Sequence, residues 1–393
     1  MKFLILHIDY GEFLRWFYAQ HPGLEKKSYE EQMWARLESL FAWNDFYSSN
    51  LCKLGHEAWD IYVNNEFMQK AWAREQGIQV EEPAPIAQRW YSVLQQARHV
   101  AAQTPLRYLK PLFRQVLRSL DRQTWFYDIL AAQIKHYKPD VLLNKHMDVV
   151  INPRFWQEMK SYVRLLVGQV AFPLPQEDFG CYDIVISSLP NFINYFRNLG
   201  IPSELSRLAF EPRVLEKLRD NDRNTIPVSF VGSVSPNYTT RIRWLDYLCR
   251  VLDIKIWGHG IERLDGNSPI HRCCVGKAWG VEMYRILHSS KITLNRHIDA
   301  ADVYANNLRL FEATGVGTLL VTDWKVNLYE MFEPGKEVVT YRSSKECAEL
   351  IKYYLEHDEE RETIACAGQQ RTFREHTYYQ RMQELVGIVR KYL

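Results

Sequence analysis

The segment 306–315 combines residue types that can hold an anion and a sugar ring. An asparagine at its start, Asn306 or Asn307, can cap the helix that follows, and the free amides of a helix start attract phosphate oxygens. Arg309 and Glu312 are three residues apart and share one helix face. A carboxylate there can accept both hydroxyl protons of a ribose, and Arg309 can neutralise phosphate charge. A capped helix with a surface ion pair fits the same pattern. The candidate nucleotide-binding residues of this segment are Asn306, Asn307, Leu308, Arg309 and Glu312.

A second candidate phosphate contact follows the apolar run Phe230-Val231. Gly232 and Ser233 form a predicted turn between a strand and a helix that contains Arg241. A glycine lets backbone amides approach phosphate oxygens closely, and an arginine on the next helix could reach the same anion. Any turn of this kind can hold a glycine, so a purely structural role remains open.

Several histidines and carboxylates end predicted strands, where side chains can reach a bound substrate. His146 follows one predicted strand, His7 and Asp9 end the first strand, and His297 lies close to Asp299 in the chain. A single histidine is more often structural than catalytic, so each of these has a structural alternative. The candidate catalytic residues are His146, Asp9 and Arg309.

Motifs for three other chemistries are missing from the positions where they would act. No Asp-x-Asp triplet follows a predicted strand, which argues against a divalent metal that holds a diphosphate. The dinucleotide fingerprint Gly-x-Gly-x-x-Gly and the phosphate loop Gly-x4-Gly-Lys-Ser/Thr are also missing, which argues against a nicotinamide oxidoreductase and an ATPase. We therefore expect no metal site and no cofactor.

The composition is that of a globular protein with more than one domain. The chain has 393 residues, 47% of them hydrophobic and 24% charged, and a formal net charge of +2. This charge does not favour nucleic-acid binding. The cysteine count is odd, with seven residues and no zinc-like spacing, which favours free thiols in a reducing compartment. No apolar run is long enough to span a membrane, so we expect a cytoplasmic protein that could still touch a membrane surface.

The apolar runs alternate with helical patterns, which predicts an α/β protein with parallel sheets. Phe3 to Ile8 reads as a buried strand. A helix over 44–53 ends at Gly55, and a second strand covers Ala58 to Val63, so the three form a βαβ unit. We expect Pro85-Ile86-Ala87 to interrupt the long helical pattern of 66–137. The further strands predicted in this half are 139–144, 163–170 and 182–187.

The charged stretch 218–227 reads as a linker, after which the strand and helix pattern restarts. The predicted strands of the second half are 228–231, 254–257, 292–294, 318–322 and 337–341. Predicted turns follow the first two of these strands, at Gly232-Ser233 and at Gly258-His259-Gly260. The two halves are thus two doubly wound, Rossmann-like domains, with boundaries at 1–222 and 223–375.

The second half contains two further motifs besides the segment Asn307 to Gly315. The first motif is Phe332-Glu333-Pro334-Gly335-Lys336-Glu337-Val338-Val339. The run 364–371, which leads to His376-Thr377-Tyr378 and Arg381, is the other. Together these segments resemble the CgeB-like, spore-maturation-protein-type glycosyltransferases, within the broader group-1, family-4-like glycosyltransferases of GT-B fold. The resemblance covers about Val228 to Arg381.

The resemblance implies an enzyme of the hexosyltransferase type that uses a nucleoside diphosphate sugar as donor. Glu312 would match the carboxylate that binds the donor ribose. Relatives often have an acid eight residues earlier, where this chain has Tyr304, with Asp302 the nearest carboxylate, so the donor sugar stays open. The terminal segment 376–393 would cross back onto the first domain. Transfer would be metal-independent and retaining, and the acceptor a sugar, a protein or a lipid-linked molecule.

Two other functions stay open from the sequence. One is a sugar-nucleotide epimerase or a phosphorylase-like enzyme on the same two-domain frame. The other is a non-catalytic binding subunit of a polysaccharide assembly system, which the tyrosine at position 304 keeps open.

Overall fold

The computed structural model describes residues 1–80, 124–147, 151–172, 174, 178–218, 224–235 and 238–393. Within these ranges the strands form two parallel sheets of six strands each. The first sheet has the order β2-β1-β3-β4-β5-β6, with β1 at Lys2–His7, β2 at Glu57–Tyr62, β3 at Val141–Asn144, β4 at Leu165–Val170, β5 at Ile184–Ser187 and β6 at Ser203–Leu205. The second has the order β12-β11-β10-β7-β8-β9, with β7 at Ile226–Ser233, β8 at Lys255–His259, β9 at Cys274–Gly276, β10 at Ser290–Leu294, β11 at Leu319–Asp323 and β12 at Val339–Tyr341.

Helices connect the parallel strands. Those of the first half are α1 (Gly11–Gln20), α2 (Tyr29–Glu38), α3 (Phe46–Lys53), α4 (Glu66–Glu75), α5 (Thr124–Tyr137), α6 (Pro153–Met159) and α7 (Pro190–Asn198). Those of the second half are α8 (Thr239–Val251), α9 (Ile270–Cys273), α10 (Val281–Ser289), α11 (Leu308–Gly315), α12 (Ser344–Glu356), α13 (Asp358–Glu375) and α14 (Tyr378–Arg390).

The first strands show why the chain folds this way. In β1 the side chains of Phe3, Leu4 and Ile5 are all 0% exposed, as expected for a strand covered on both faces. The predicted βαβ unit is present, because β1 pairs in parallel with β2 and α3 lies between them in the chain. Gly55 ends the connection with φ of 82°, a conformation that costs glycine little. The expected α/β class with two Rossmann-like, parallel-sheet domains is confirmed.

Several elements differ from the prediction. Gly232 and Ser233 do not form a turn but end β7, where they pair with Gly258 and His259 of β8. The predicted turn at Gly258-His259 is wrong for the same reason. The pairing of these two residues with Gly232 and Ser233 lengthens both strands by two residues. β6, β9, α6 and α10 were not expected, and the strands among them have only three residues each. The interruption at 85–87, and 219–223 of the predicted linker, lie outside the described residues.

One apolar cluster contains residues of both halves, beside a separate cluster within each half. Helix α14, near the end of the chain, packs on α3 of the first half. The ring of Tyr378 lies 5.2 Å from that of Phe46 and 5.6 Å from that of Tyr47. Nearby, Asn50 donates a hydrogen bond of 2.7 Å to Glu211. The carboxyl ends of the two sheets also face each other, because the ring of Tyr10, just after β1, lies 6.2 Å from that of His259 at the end of β8; the space between these ends is called the cleft.

Among the described residues no helix is long and apolar enough to cross a membrane. All seven cysteines are free thiols.

Candidate functional site

Helix α11 begins at an asparagine cap. The side chain of Asn307 accepts a hydrogen bond from the Leu310 amide at 3.2 Å. Its amide group donates to Asn295 at 2.7 Å, just beyond β10, which fixes the cap against the sheet edge. Asn306, the other candidate cap, is buried beside it. The first-turn amides of Leu308 and Arg309 have no partner within the helix, so this end of α11 can receive an anion.

Arg309 and Glu312 form an ion pair one turn apart. Nη1 of Arg309 lies 2.9 Å from Oε2 of Glu312, and their side chains are 12% and 6% exposed. The contact is not aligned as a hydrogen bond, so among the described residues this Nη1 has no hydrogen-bond partner. Burial raises the pKa of Glu312, and the charge of Arg309 opposes that rise. The pair therefore places a largely buried carboxylate beside an N–H group that has no hydrogen-bond partner. A ligand with hydroxyl groups could bind both, because hydroxyls can donate to the carboxylate and accept from the N–H.

The end of β7 lies against the same helix. Nη2 of Arg309 donates to the carbonyl of Val231 at 3.0 Å, next to Gly232. Arg241 donates to the carbonyl of Ser233 at 3.0 Å and to that of Arg296 at 2.8 Å. Burial lowers the pKa of Arg241. Arg241 thus links the end of β7 to the segment after β10. Two of its N–H groups bind backbone carbonyls and not the phosphate that the sequence predicted.

A histidine that follows β10 meets the last residue of the adjacent strand β11. Nδ1 of His297 lies 2.7 Å from Oδ1 of Asp323, and the His297 amide donates to the same oxygen at 2.9 Å. Burial raises the pKa of Asp323, but His297 outweighs it and brings the pKa to about 2. The sequence pointed instead to Asp299, which bonds Thr240. The available signal was that both residues follow neighbouring strands, where parallel carboxyl ends meet.

In the first half, Asp9 is held by a buried arginine, Arg36, that no local sequence pattern indicates. The carboxylate accepts from Nε of Arg36 at 2.9 Å and from Nη2 at 2.6 Å. The two side chains are only 3% and 1% exposed. Asp9 also accepts through its carbonyl from Asn64 at 2.7 Å. Its carboxylate is therefore fixed in one orientation at the end of β1.

His146 lies at the end of the neighbouring strand β3. Its amide donates to Asn144 at 3.1 Å, and its ring lies edge-on to Trp43 at 5.5 Å. The adjacent Lys145 is buried over the ring of Tyr47, with Nζ 3.4 Å from the ring centre. Among the described residues this amine has no hydrogen-bond partner. Burial lowers the pKa of Lys145 well below its usual range, and Asp60 opposes the shift.

His7 and Asp60 complete this group. Nε2 of His7 lies 2.7 Å from Oδ1 of Asp60, whose other oxygen accepts from Ser48. Burial raises the pKa of Asp60 to about 7, although Ser48 and Lys145 favour the carboxylate. Burial also lowers the pKa of His7 well below its usual value, and the charges of Lys145 and His146 add to this. The strand ends of the first half thus carry several titratable groups removed from water.

The structure brings the sequence-predicted residues into two groups. Those of the second half line the end of β7 and the start of α11: Gly232, Ser233, Arg241, Asn306, Asn307, Leu308, Arg309 and Glu312. Those of the first half, Asp9 and His146, each lie two residues beyond the adjacent strands β1 and β3. The halves meet at this edge, where Asn191 of α7 donates to the carbonyl of Ala300 at 3.4 Å and Lys277 pairs with Glu12 at 3.0 Å. Tyr304, which stands eight residues before Glu312 where an acid was expected, is half-buried in the loop before α11.

Comparison with known proteins agrees with this arrangement. Residues 214–387, less than half of the chain, match a family model described as glycosyl transferase-like. No curated protein sequence matches the chain.

Solved structures resemble the whole chain at low sequence identity. Anabaena HepE, in complex with UDP and glucose, is 12% identical with a TM-score of 0.57 and complete coverage of both chains. A glycosyltransferase from Rickettsia africae is 11% identical with a TM-score of 0.55, covering 99% of this chain and 98% of that one. Sucrose-phosphate synthase from Thermosynechococcus elongatus is 12% identical with a TM-score of 0.54, covering 100% of this chain and 98% of that one. At these identities the likeness establishes the fold, which is the two-domain GT-B arrangement.

The fold and the matched domain support the same conclusion. The chain thus has two parallel-sheet domains in the GT-B arrangement, and its second half contains a glycosyl transferase-like domain over residues 214–387.

Proposed function

We propose that the protein transfers a sugar from a nucleoside diphosphate sugar to an acceptor hydroxyl, with the nucleotide held by the second half. The observation that carries the proposal is the pairing of Glu312 with Arg309 beside the Asn307 cap. In this assignment the ribose hydroxyls donate to Glu312. The diphosphate lies at the first-turn amides of α11, where the helix dipole favours negative charge.

The departing diphosphate develops negative charge, which fixed donors in a partly desolvated site stabilise. Arg309 supplies one such donor, because its Nη1 has no hydrogen-bond partner among the described residues. Arg241 acts indirectly, since it holds the backbone of Ser233 and Arg296 around the same edge. The solved structure of HepE with UDP-glucose, which shares this fold, supports a nucleotide-sugar donor.

The acceptor side is assigned to the first half. His146 and Asp9 lie just beyond the carboxyl ends of the paired strands β3 and β1, in the half opposite to the proposed nucleotide site. We assign them to orienting the acceptor or the donor sugar, in a metal-independent and retaining transfer. The acceptor class is a sugar, a protein or a lipid-linked molecule. The seven free thiols support a cytoplasmic location.

A thermal-shift screen with nucleoside diphosphates and their sugars tests the proposal. A ligand present at 100 times its dissociation constant stabilises the folded state by about 2.7 kcal/mol, which raises the melting temperature measurably. We expect one nucleoside diphosphate, with UDP tested first, to raise it in the wild type. No shift with any of them at millimolar concentration would contradict the proposal.

Turnover separates an enzyme from a binding subunit. Chromatography should detect release of the free nucleoside diphosphate from the sugar donor that the screen selects. Binding without any release, with water or a broad set of glycoside acceptors present, would instead indicate a non-catalytic subunit. Formation of an epimeric sugar nucleotide would indicate an epimerase.

A further inference from the structure

The turn between α2 and α3, residues 39–45, has an unfavourable backbone. Leu40, Ala42 and Asn44 have φ of 49°, 54° and 41°, a region that side-chain-bearing residues seldom adopt. Alternate residues of one short turn are thus strained, and such a conformation persists only where surrounding contacts impose it.

Arg36 supplies the contacts. Its Nη1 donates to Oγ of Ser39 at 3.2 Å and to Oδ1 of Asn44 at 2.8 Å, and its Nη2 donates to the carbonyl of Phe41 at 3.4 Å. The same guanidinium donates to both carboxylate oxygens of Asp9. A planar fork of five donors can serve a carboxylate and a turn at once, which a lysine cannot do.

The turn at 39–45 also contacts the second half of the protein. The carbonyl of Ser39 accepts a hydrogen bond from the Val281 amide at 2.9 Å. The ring of Phe41 lies edge-on to Trp279 at 5.3 Å. Gly280 lies so close that a Cβ there would come within 1.9 Å of the Ser39 carbonyl oxygen. The strained backbone is what presents Ser39 and Phe41 to this loop.

We propose that Arg36 is a positioning residue that couples the Asp9 carboxylate, at the cleft end of β1, to the docking of the second half at Trp279–Val281. The functional meaning of this coupling depends on the proposed sugar transfer, because that proposal places Asp9 at the reacting cleft. The contacts themselves do not depend on it. Neutralising Asp9 leaves Arg36 without its counter-charge, so the guanidinium shifts, the turn relaxes and the Ser39–Val281 hydrogen bond opens more often.

Hydrogen exchange of the full chain without ligand tests the coupling. The readout is a peptide covering 277–285, which contains the Val281 amide and lies in the half opposite to Asp9. We expect Asp9→Asn to speed exchange in this peptide by about 10-fold or more, because local opening is governed by the contacts that hold it closed. The control is Asp140→Asn, since the half-buried Asp140 carboxylate pairs with Arg164 at 3.3 Å and accepts from the Lys2 amide, both within the first half. This control should leave the peptide unchanged.

Arg36→Lys separates coupling from simple charge compensation. A lysine keeps the positive charge beside Asp9 but cannot also hold Ser39 and Asn44, so we expect the same faster exchange at 277–285. Normal exchange in Arg36→Lys would overturn the proposal, because it would show that charge alone suffices. Unchanged exchange at 277–285 in a folded Asp9→Asn variant, or a uniform rise across both sheets, would overturn it as well.

The experiment does not depend on the donor. If no nucleoside diphosphate binds, the proposed function fails while the exchange result can still be read. If UDP or another nucleotide binds but the peptide at 277–285 does not respond to Asp9→Asn, the coupling fails and the donor assignment stands.

Discussion

Glu312 and Arg309 lie one helical turn apart with 2.9 Å between Oε2 and Nη1, and both side chains are almost removed from water at the start of α11. The predicted ribose contact depends on this relationship. Replacing Glu312 by Gln keeps the shape but removes the charge that accepts two hydroxyl protons. Charge-assisted hydrogen bonds contribute about 1.5–3 kcal/mol, so we expect the dissociation constant for UDP to rise roughly 10- to 150-fold by calorimetry.

Glu333 offers a matched control for this variant. It forms an equally spaced i,i+3 ion pair with Lys336 at 2.6 Å, but on the surface, with its side chain 57% exposed. Glu333→Gln should leave UDP binding unchanged. Equal affinity of the wild type and Glu312→Gln would remove Glu312 from the site.

His146 is expected to act on transfer and not on nucleotide binding, because it lies on the first half at the end of β3. We predict that His146→Ala lowers kcat for donor turnover by about 10-fold or more, a modest loss for a group that orients a reactant. The dissociation constant for UDP should stay the same. His21→Ala, at an exposed histidine after α1, is the control. A weaker UDP affinity with normal kcat would assign His146 to the donor instead.

The His297–Asp323 pair predicts a pH effect on stability. The Asp323 pKa falls from 3.8 to about 2 on folding, so the folded state binds fewer protons there than the unfolded chain. The stabilisation is therefore complete above about pH 5 and is lost as the pH falls toward 2. Asp323→Asn should lower the free energy of unfolding by about 2 kcal/mol at pH 7 and flatten its decline in acid.

Urea unfolding followed by circular dichroism at pH 7 and pH 3 measures this difference. The exposed carboxyl of Asp253, in the same half, provides the control variant Asp253→Asn. The stabilising role would be refuted if Asp323→Asn and the wild type differed by the same amount at both pH values.

Gly280 is predicted to be intolerant of a side chain. It has φ of 54°, and a Cβ would meet the Ser39 carbonyl oxygen at 1.9 Å. Gly280→Ala combines backbone strain with a collision between the two halves, and we expect a loss of about 2 kcal/mol or more in the free energy of unfolding. Gly266→Ala is the comparison, since nothing lies within 4 Å of the Cβ position there. Similar denaturation midpoints for the two variants would show that the halves do not need this close approach.

Much of the fold could be predicted because local residue patterns determine most of its strands and helix ends. The continuous apolar run at Phe3–Ile5 has to be buried on both faces, and Gly55 has to end a helix. Short elements could not be predicted in this way. β9 has three residues, Cys274–Gly276, and forms because β8 beside it offers an open edge, not because of its own sequence.

The sequence by itself also determined the outline of the candidate nucleotide site. Asn307, Arg309 and Glu312 lie within two turns of one helix, so helical geometry alone places them together. The tertiary structure decided what the remaining charged groups do. Asp9 meets Arg36 across 27 residues, and His297 meets Asp323 across 26 residues. Spacing along the chain carries no information about such pairs, because parallel strands and their crossover helices bring distant segments to one sheet edge. Because burying an unpaired charge costs free energy, each of these charged groups is stable only beside the partner that the fold brings to it.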